Sequence, residues 1–375
     1  MMERSDTIMN LQFYMPTKVV MGKDCVRQNT AQLAAFGTKA LIVTGAHSAK
    51  ANGSLDDVIA ALRENGREYA VYDKVMANPT IACCYDGAKV AREEKADFII
   101  AIGGGSPMDA AKGIALLACQ DIAEENLFSG KYGDKALPMV FIPTTAGTGS
   151  EVTPYSVLIN HKVKSKTSIS SPLLFPKLSL LDAKYTMNMP LHTTINTAID
   201  ALSHAVEGML TIRATSVTDT LAAESIRCIS GRFEALKSGR LTYEDREQLL
   251  YGSMLAGMVI AHTGTTAVHA MGYSLTYFKN VDHGRANGLL LAEFLRFISC
   301  SRPDLTNAVL EPMGYSSIDQ FSYSLNELLG QQESLTKEEV EQYTAISVRA
   351  KSIPNSKVVP AENDIRNIYL KSFNF

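Results

Sequence analysis

The sequence contains no Cys-x-x-Cys pair. Its six cysteines are scattered at Cys25, Cys83, Cys84, Cys119, Cys228 and Cys300, which excludes a thiolate metal site and fits a reduced, cytoplasmic protein. No basic stripe is visible and the net charge is -3, so nucleic acid is not an expected partner. No apolar run approaches the roughly 18 residues of a membrane span. The opening stretch MMERSDTIMNLQFYMPTK lacks the apolar core of a signal peptide. Internal repeats and low-complexity tracts are absent. Histidine is scarce, with 7 in 375 residues, so any clustering of it asks for a reason. What remains is an ordinary globular composition, 46% hydrophobic and 20% charged, in a chain long enough for two domains.

The first half alternates short apolar runs with amphipathic stretches. KALIVTG (Lys39–Gly45), REYAVYDKV (Arg67–Val75), ADFIIAIGGG (Ala96–Gly105) and LPMVFIPTT (Leu137–Thr145) read as strands, and Ser54–Gly66 and Cys83–Lys95 as helices. That order predicts a parallel sheet covered on both faces. Beyond Lys184–Pro190 long helical patterns dominate, which predicts an all-helical second domain. The division is drawn as 1–185 and 186–375. The tail beyond about Ser301 is polar with weaker periodicity.

Three turns at the ends of these strands are candidate cofactor contacts. In ADFIIAIGGGSPMDAAK an apolar strand runs into Gly103, Gly104, Gly105 and Ser106, then into a helix. Glycine lets the backbone approach a ligand, and the free N–H groups and dipole of a helix start favour phosphate. Asp109 is placed to accept from a cofactor or to cap that helix. The G-x-G-x-x-G fingerprint is absent, and a tight turn with no ligand is the plainer alternative. The second turn, PTTAGTGSEVT, offers Thr144, Thr145, Thr148 and Ser150, whose hydroxyls suit a pyrophosphate or ribose. At the third, Gly45 stands where an acid would hold an unphosphorylated ribose, and Ser48 and Lys50 could take a 2′-phosphate. That leans toward NADP(H) over NAD(H), with a solvated surface lysine as the alternative for Lys50.

Four residues of the second half resemble a metal cage. Asp200 and His204 lie four apart, one turn on one helix face. His269 sits in a stretch with helical spacing, and His283, before Gly284, on a loop opening another helix. Three imidazoles and a carboxylate suit Zn²⁺ or Fe²⁺ better than Mg²⁺ or Ca²⁺.

Five ordered motifs then resemble the iron-containing (group III) alcohol dehydrogenase family: G-G-G-S-x-x-D-x-x-K at Gly103–Lys112, P-T-T-x-G-T-G-S-E at Pro143–Glu151, D-A-x-x-H-A-x-E at Asp200–Glu207, V-H-A-M at Val268–Met271 and H-G-x-A-N at His283–Asn287. The match covers about residues 10 to 295, and little of the family's pattern shows beyond Arg302. The resemblance implies an α/β, Rossmann-like dinucleotide-binding domain followed by an all-α metal-binding domain, a dehydroquinate synthase-like architecture. It implies Asp200, His204, His269 and His283 as ligands of a divalent metal, Fe²⁺ before Zn²⁺, and Lys166 near the cofactor ribose. It also implies a homodimer or larger homo-oligomer. Many members carry a further histidine where this chain has Tyr273; either Tyr273 or His262, seven residues before His269, would then serve the proton relay. The expected activity is metal-dependent, NAD(P)-linked interconversion of a small alcohol and its aldehyde, with a polyol or hydroxy acid as other substrates. A sugar-phosphate cyclase-type lyase would need more basic residues than Lys166 and Arg285, and a non-catalytic dinucleotide-binding protein would not need an intact ligand set.

Overall fold

The structure, a computed structural model, describes residues 11–330 and 333–374. Most of the stretch read for a signal peptide, residues 1–10, lies outside the described residues. The α/β half is built on strands β1 (Lys18–Met21), β2 (Lys39–Thr44), β3 (Glu68–Tyr72), β4 (Phe98–Gly103), β5 (Met139–Pro143) and β8 (Leu178–Leu181). They form one sheet in the order β1-β8-β5-β4-β2-β3, and every pairing is parallel. A separate antiparallel hairpin joins β6 (Tyr155–Asn160) to β7 (Ser165–Ser170).

The central strands β4 and β5 are apolar throughout, and β2 is apolar between its terminal Lys39 and Thr44, because both faces are covered. Leu41, Val43, Ile99, Ala101 and Phe141 pack with the helices Ile81–Glu93 and Gly105–Cys119. The intervening Ala40, Ile42, Ile100, Ile102, Val140 and Ile142 pack on the other face with Val58, Ala61 and Leu62 of the helix Ser54–Glu64. Each such branched or aromatic side chain contributes about 1.5–3 kcal/mol on burial, so these strands dominate the half's stability. β3, at the edge, exposes Val71 and contributes less.

The four expected strands all form, trimmed at their ends. β1 and β8 escaped the sequence reading because four residues carry too little pattern.

The second half is helical from Leu191 onward. The helix Leu191–Met209 runs through its centre and is buried at every residue from Ala198 to Met209. Around it pack Ser216–Ser230, Tyr243–Thr263, Ala267–Lys279 and His283–Ser299. The tail is more ordered than its sequence suggests. Pro303–Met313, Ile318–Leu329, Lys337–Ser347 and Glu362–Ser372 are helices, and they send Leu310, Phe321, Tyr343 and Tyr369 into the same core. Thr336 and Glu339 cap the third of these reciprocally. No helix among the described residues is long and apolar enough to cross a membrane.

Candidate active site

Because the sheet is parallel, the C-terminal ends of β2, β4 and β5 share one edge, and the three predicted turns lie along it. Gly45 follows β2, and Ser48 and Lys50 are exposed just beyond. Gly103, Gly104, Gly105 and Ser106 lead from β4 into the helix Gly105–Cys119. Thr144, Thr145, Thr148 and Ser150 follow β5. The two glycine-rich turns touch. A Cβ on Gly104 would lie 2.9 Å from the Thr145 hydroxyl, and one on Gly105 2.6 Å from Cγ2 of Thr148, so glycine is required for the turns to nest. A buried lysine fastens them. Lys112 Nζ donates to the Ser150 carbonyl (2.8 Å), the Ser150 hydroxyl (2.7 Å), Thr153 Oγ1 (3.2 Å) and the Tyr155 carbonyl (2.8 Å). Burial pushes its pKa down to about 8.

Asp109 does not cap the helix. The cap position is Gly104, with no side-chain bond, and Asp109 sits further in, accepting from the Ser150 hydroxyl at 2.7 Å with Lys112 Nζ 3.9 Å away. Its carboxylate ties one turn to the other.

The helical half supplies the second cluster. Ligand atoms of Asp200, His269 and His283 lie within 4.8 Å of one another, with Asp200 Oδ1 3.8 Å from Nε2 of each histidine. His269 is carried by the helix Ala267–Lys279, and His283 opens the helix His283–Ser299. Close packing makes the convergence possible: a Cβ on Gly284 would fall 1.8 Å from the Asn196 carbonyl and 2.8 Å from Asp200 Cβ. His204 is not brought into the 4.8 Å group. Its ring stacks on His269 with centroids 4.5 Å apart, and its Nδ1 is buried without a hydrogen bond of ordinary geometry.

Burial pushes the His204 pKa down to about 4 and that of His283 well below its usual value, aided there by Lys166 and the other imidazoles. Both are therefore neutral at neutral pH, the form that binds metal. Imidazoles converging on a buried carboxylate, with His283 Nδ1 buried and without a hydrogen-bond partner among the described residues, fit a divalent transition metal.

Two residues of the quoted motifs acquire contacts that spacing did not reveal. Asn287 Nδ2 donates to Asp200 Oδ1 (3.1 Å) and His269 Nε2 (3.1 Å) and faces His283 Nε2 (3.4 Å). Glu207, one turn beyond His204, is fully buried and hydrogen-bonded to His269 Nδ1. Burial acts to raise its pKa, and the charge and donors of His269 and Thr266 outweigh that and lower it.

Tyr273 and His262 separate clearly. The helix Tyr243–Thr263 stops at Gly264, so His262 and His269 do not share a continuous helix, and the expected common face is lost. His262 Nδ1 contacts the Met258 carbonyl at 2.7 Å, Nε2 accepts from Tyr14 N at 3.0 Å, and the ring stacks on Phe13. Tyr273 stacks on His283 with centroids 5.2 Å apart and meets His269 edge-on. Lys166 Nζ lies 5.8 Å from the centre of the Tyr273 ring, and burial lowers its pKa to about 8. Arg285 is engaged by Glu333 and the Leu329 carbonyl, which takes it away from any substrate phosphate.

A model described as iron-containing alcohol dehydrogenase matches residues 16–183, and the model of that family's C-terminal part matches residues 194–373. The chain belongs to the iron-containing alcohol dehydrogenase family. The second match extends through the tail, so the likeness does not end near residue 295 as the motifs alone suggested. Within the family, the chain is 36% identical to the 1,3-propanediol dehydrogenase of Citrobacter freundii over 81% of this chain and 78% of that protein. An iron-containing alcohol dehydrogenase of Thermotoga maritima superposes with a TM-score of 0.90 at 37% identity, covering 97% of this chain and 99% of that one. The sulfoacetaldehyde reductase of Bifidobacterium kashiwanohense, solved with NAD⁺, superposes with a TM-score of 0.87 at 27% identity, covering 98% and 99%. The chain is thus an oxidoreductase of the iron-containing alcohol dehydrogenase family, acting between alcohols and aldehydes with a nicotinamide cofactor.

Proposed function

We propose that this chain interconverts a small primary alcohol and its aldehyde at a divalent metal, Fe²⁺ before Zn²⁺, held by Asp200, His204, His269 and His283. The observation that carries the reading is the convergence of Asp200, His269 and His283 within 4.8 Å, with Tyr273 stacked on His283 and Lys166 over the Tyr273 ring. His204, stacked on His269 with centroids 4.5 Å apart and one helical turn from Asp200, would be the fourth ligand. When bound, such a metal supplies Lewis acidity to the substrate oxygen. The chain's own groups do the rest. N–H groups of the turn Gly103–Ser106 at a helix start, with the hydroxyls of Thr144, Thr145, Thr148 and Ser150, bind the pyrophosphate. Lys166 donates toward the ribose. Tyr273 gives and takes a proton through its phenol oxygen, the role held by histidine in many family members; His262 is set aside because both its ring nitrogens are engaged.

The finer assignments rest on particular residues. Ser48 and Lys50, exposed beyond β2 with Gly45 in place of an acid, support NADP(H) over NAD(H). Six free cysteines support a cytoplasmic location. The resemblance to associating enzymes supports a homodimer or larger, and the change of character near Pro190 supports a boundary at 185/186.

The test is metal removal. Chelator-stripped protein, followed by nicotinamide absorbance with a panel of primary alcohols and aldehydes and each cofactor, is expected to lose at least about 100-fold in rate and to recover on addition of Fe²⁺. Full rate in the stripped sample overturns the metal role.

A further inference from the structure

Glu207 sits on the helix Leu191–Met209 and closes the D-A-x-x-H-A-x-E motif, which by itself gives it no role. In the structure it is fully buried, and no lysine or arginine pairs with it among the described residues. Its two oxygens do different things. Oε1 accepts from Thr266 N (2.9 Å), Thr266 Oγ1 (2.6 Å) and Val268 N (3.1 Å), with His269 N at 3.4 Å. These are the free donors at the start of the helix Ala267–Lys279, whose own cap residue, Thr266, makes no side-chain cap. Oε2 meets His269 Nδ1.

An ionised carboxylate only accepts hydrogen bonds. Facing Oε2, Nδ1 of His269 must therefore carry the ring proton. In the neutral ring, the form that binds metal, Nε2 is then the lone pair, accepting from Asn287 Nδ2 at 3.1 Å and 3.8 Å from Asp200 Oδ1. In the neutral ring the Glu207 carboxylate at one end and the Asn287 amide at the other favour the same tautomer, the one a metal needs at Nε2.

We infer that Glu207 is a positioning residue that fixes the His269 tautomer and, by anchoring the start of the helix Ala267–Lys279 to the helix bearing Asp200 and His204, presets the cage before metal arrives. The inference rests on the metal-site reading. Glu207→Gln separates the roles. Its Oε1 can still accept from Thr266 and Val268, but its amide would donate toward Nδ1. That moves the ring proton to Nε2, where it blocks ligation.

Two measurements test this. Fe²⁺ or Zn²⁺ dissociation constants come from competition with a chromophoric chelator, and His269 ring nitrogens are observed by ¹⁵N NMR in the metal-free protein. The wild type is expected to show the Nδ1–H form. Glu207→Gln is expected to show Nε2–H and to bind metal about 10- to 100-fold more weakly, with helical circular dichroism retained. Glu207→Asp, an acceptor-only group, is expected to keep the wild-type tautomer and recover part of the affinity. A wild type with the proton on Nε2, or a Glu207→Gln variant with wild-type affinity, overturns the inference. If Glu207→Gln does not fold, the wild-type and Glu207→Asp spectra decide. Should the wild type bind no divalent metal, the metal reading fails, while the tautomer measurement still judges Glu207 separately.

Discussion

At the scale of single residues, spacing proposes and surroundings decide. His262 and Tyr273 are both near His269 in sequence. His262 has a backbone carbonyl at one ring nitrogen and a backbone N–H at the other, so neither is free for proton transfer. Tyr273 lies against His283 and under Lys166, and burial with the neighbouring Asp200 keeps its phenol protonated by raising its pKa. Tyr273→Phe removes the hydroxyl without disturbing the stack. It is expected to lower kcat by about 100-fold while leaving metal content unchanged, whereas His262→Gln is expected to leave the pH–rate profile as it was. Equal profiles for wild type and Tyr273→Phe would remove the tyrosine from the relay. The candidate ligands were legible in the sequence because Asp200 and His204 are one helical turn apart. Glu207 stood in the same quoted motif, yet its partners Thr266 and His269 lie 59 and 62 residues away, a separation no local pattern conveys.

At the scale of elements, the cage depends on how closely three helices approach. His283 is the first residue of its helix, and Gly284 is the second. An alanine there would push its methyl into the Asn196 carbonyl and Asp200 Cβ, both on the helix bearing two candidate ligands. Since the contact is with backbone, neither side can yield cheaply. Gly284→Ala is expected to cost about 1–3 kcal/mol of stability and to weaken metal binding more than a distant substitution of equal cost. Thermal unfolding with and without metal checks it: the metal-induced rise in Tm should shrink as well as the baseline Tm. The element-level reading from sequence succeeded where patterns are strong. β4, β5 and residues 40–43 of β2 are uniformly apolar because parallel strands are buried twice. It failed at β1 and β8, and at β6–β7, where YSVLIN and SKTSIS alternate too weakly in polarity. In the tail, short helices of 11 or 12 residues hide their apolar faces behind polar composition, and only assembly reveals them.

At the scale of the whole molecule, the two halves are joined by more than chain continuity. The turn after β5 presses Gly147 onto Thr197 and Gly149 onto Gly257, so a candidate phosphate loop also forms part of the floor on which the metal helices lie. At the same C-terminal edge of the sheet, beyond β1 and β8, a charged junction gathers the segment after β1, the helix Ser54–Glu64 and the connection between the halves. Lys184 Nζ lies 2.5 Å from Asp24, 3.0 Å from Asp57 and 3.6 Å from Asp182. Asp57 also accepts from the Tyr185 hydroxyl (2.8 Å) and from Arg27 (2.7 Å), and Tyr243 of the helical half donates to Asp182 (3.2 Å). Burial of Asp57 acts to raise its pKa, but the donors from Lys184, Tyr185 and Arg27 prevail and lower it. A carboxyl whose folded pKa lies below its unfolded value, about 3.9, stabilises the fold above that value and loses this contribution as pH falls through the folded pKa. Asp57→Asn leaves the lysine without its nearer buried partner and is expected to cost about 1–3 kcal/mol at neutral pH, less than a wholly buried pair because Lys184 is partly exposed. Urea unfolding of both proteins across pH 3 to 7 checks the sign. The stability difference should be flat above about pH 5 and shrink as the pH falls below about 4; a difference that stays constant to the acid end would mean that the Asp57 charge does not stabilise this junction.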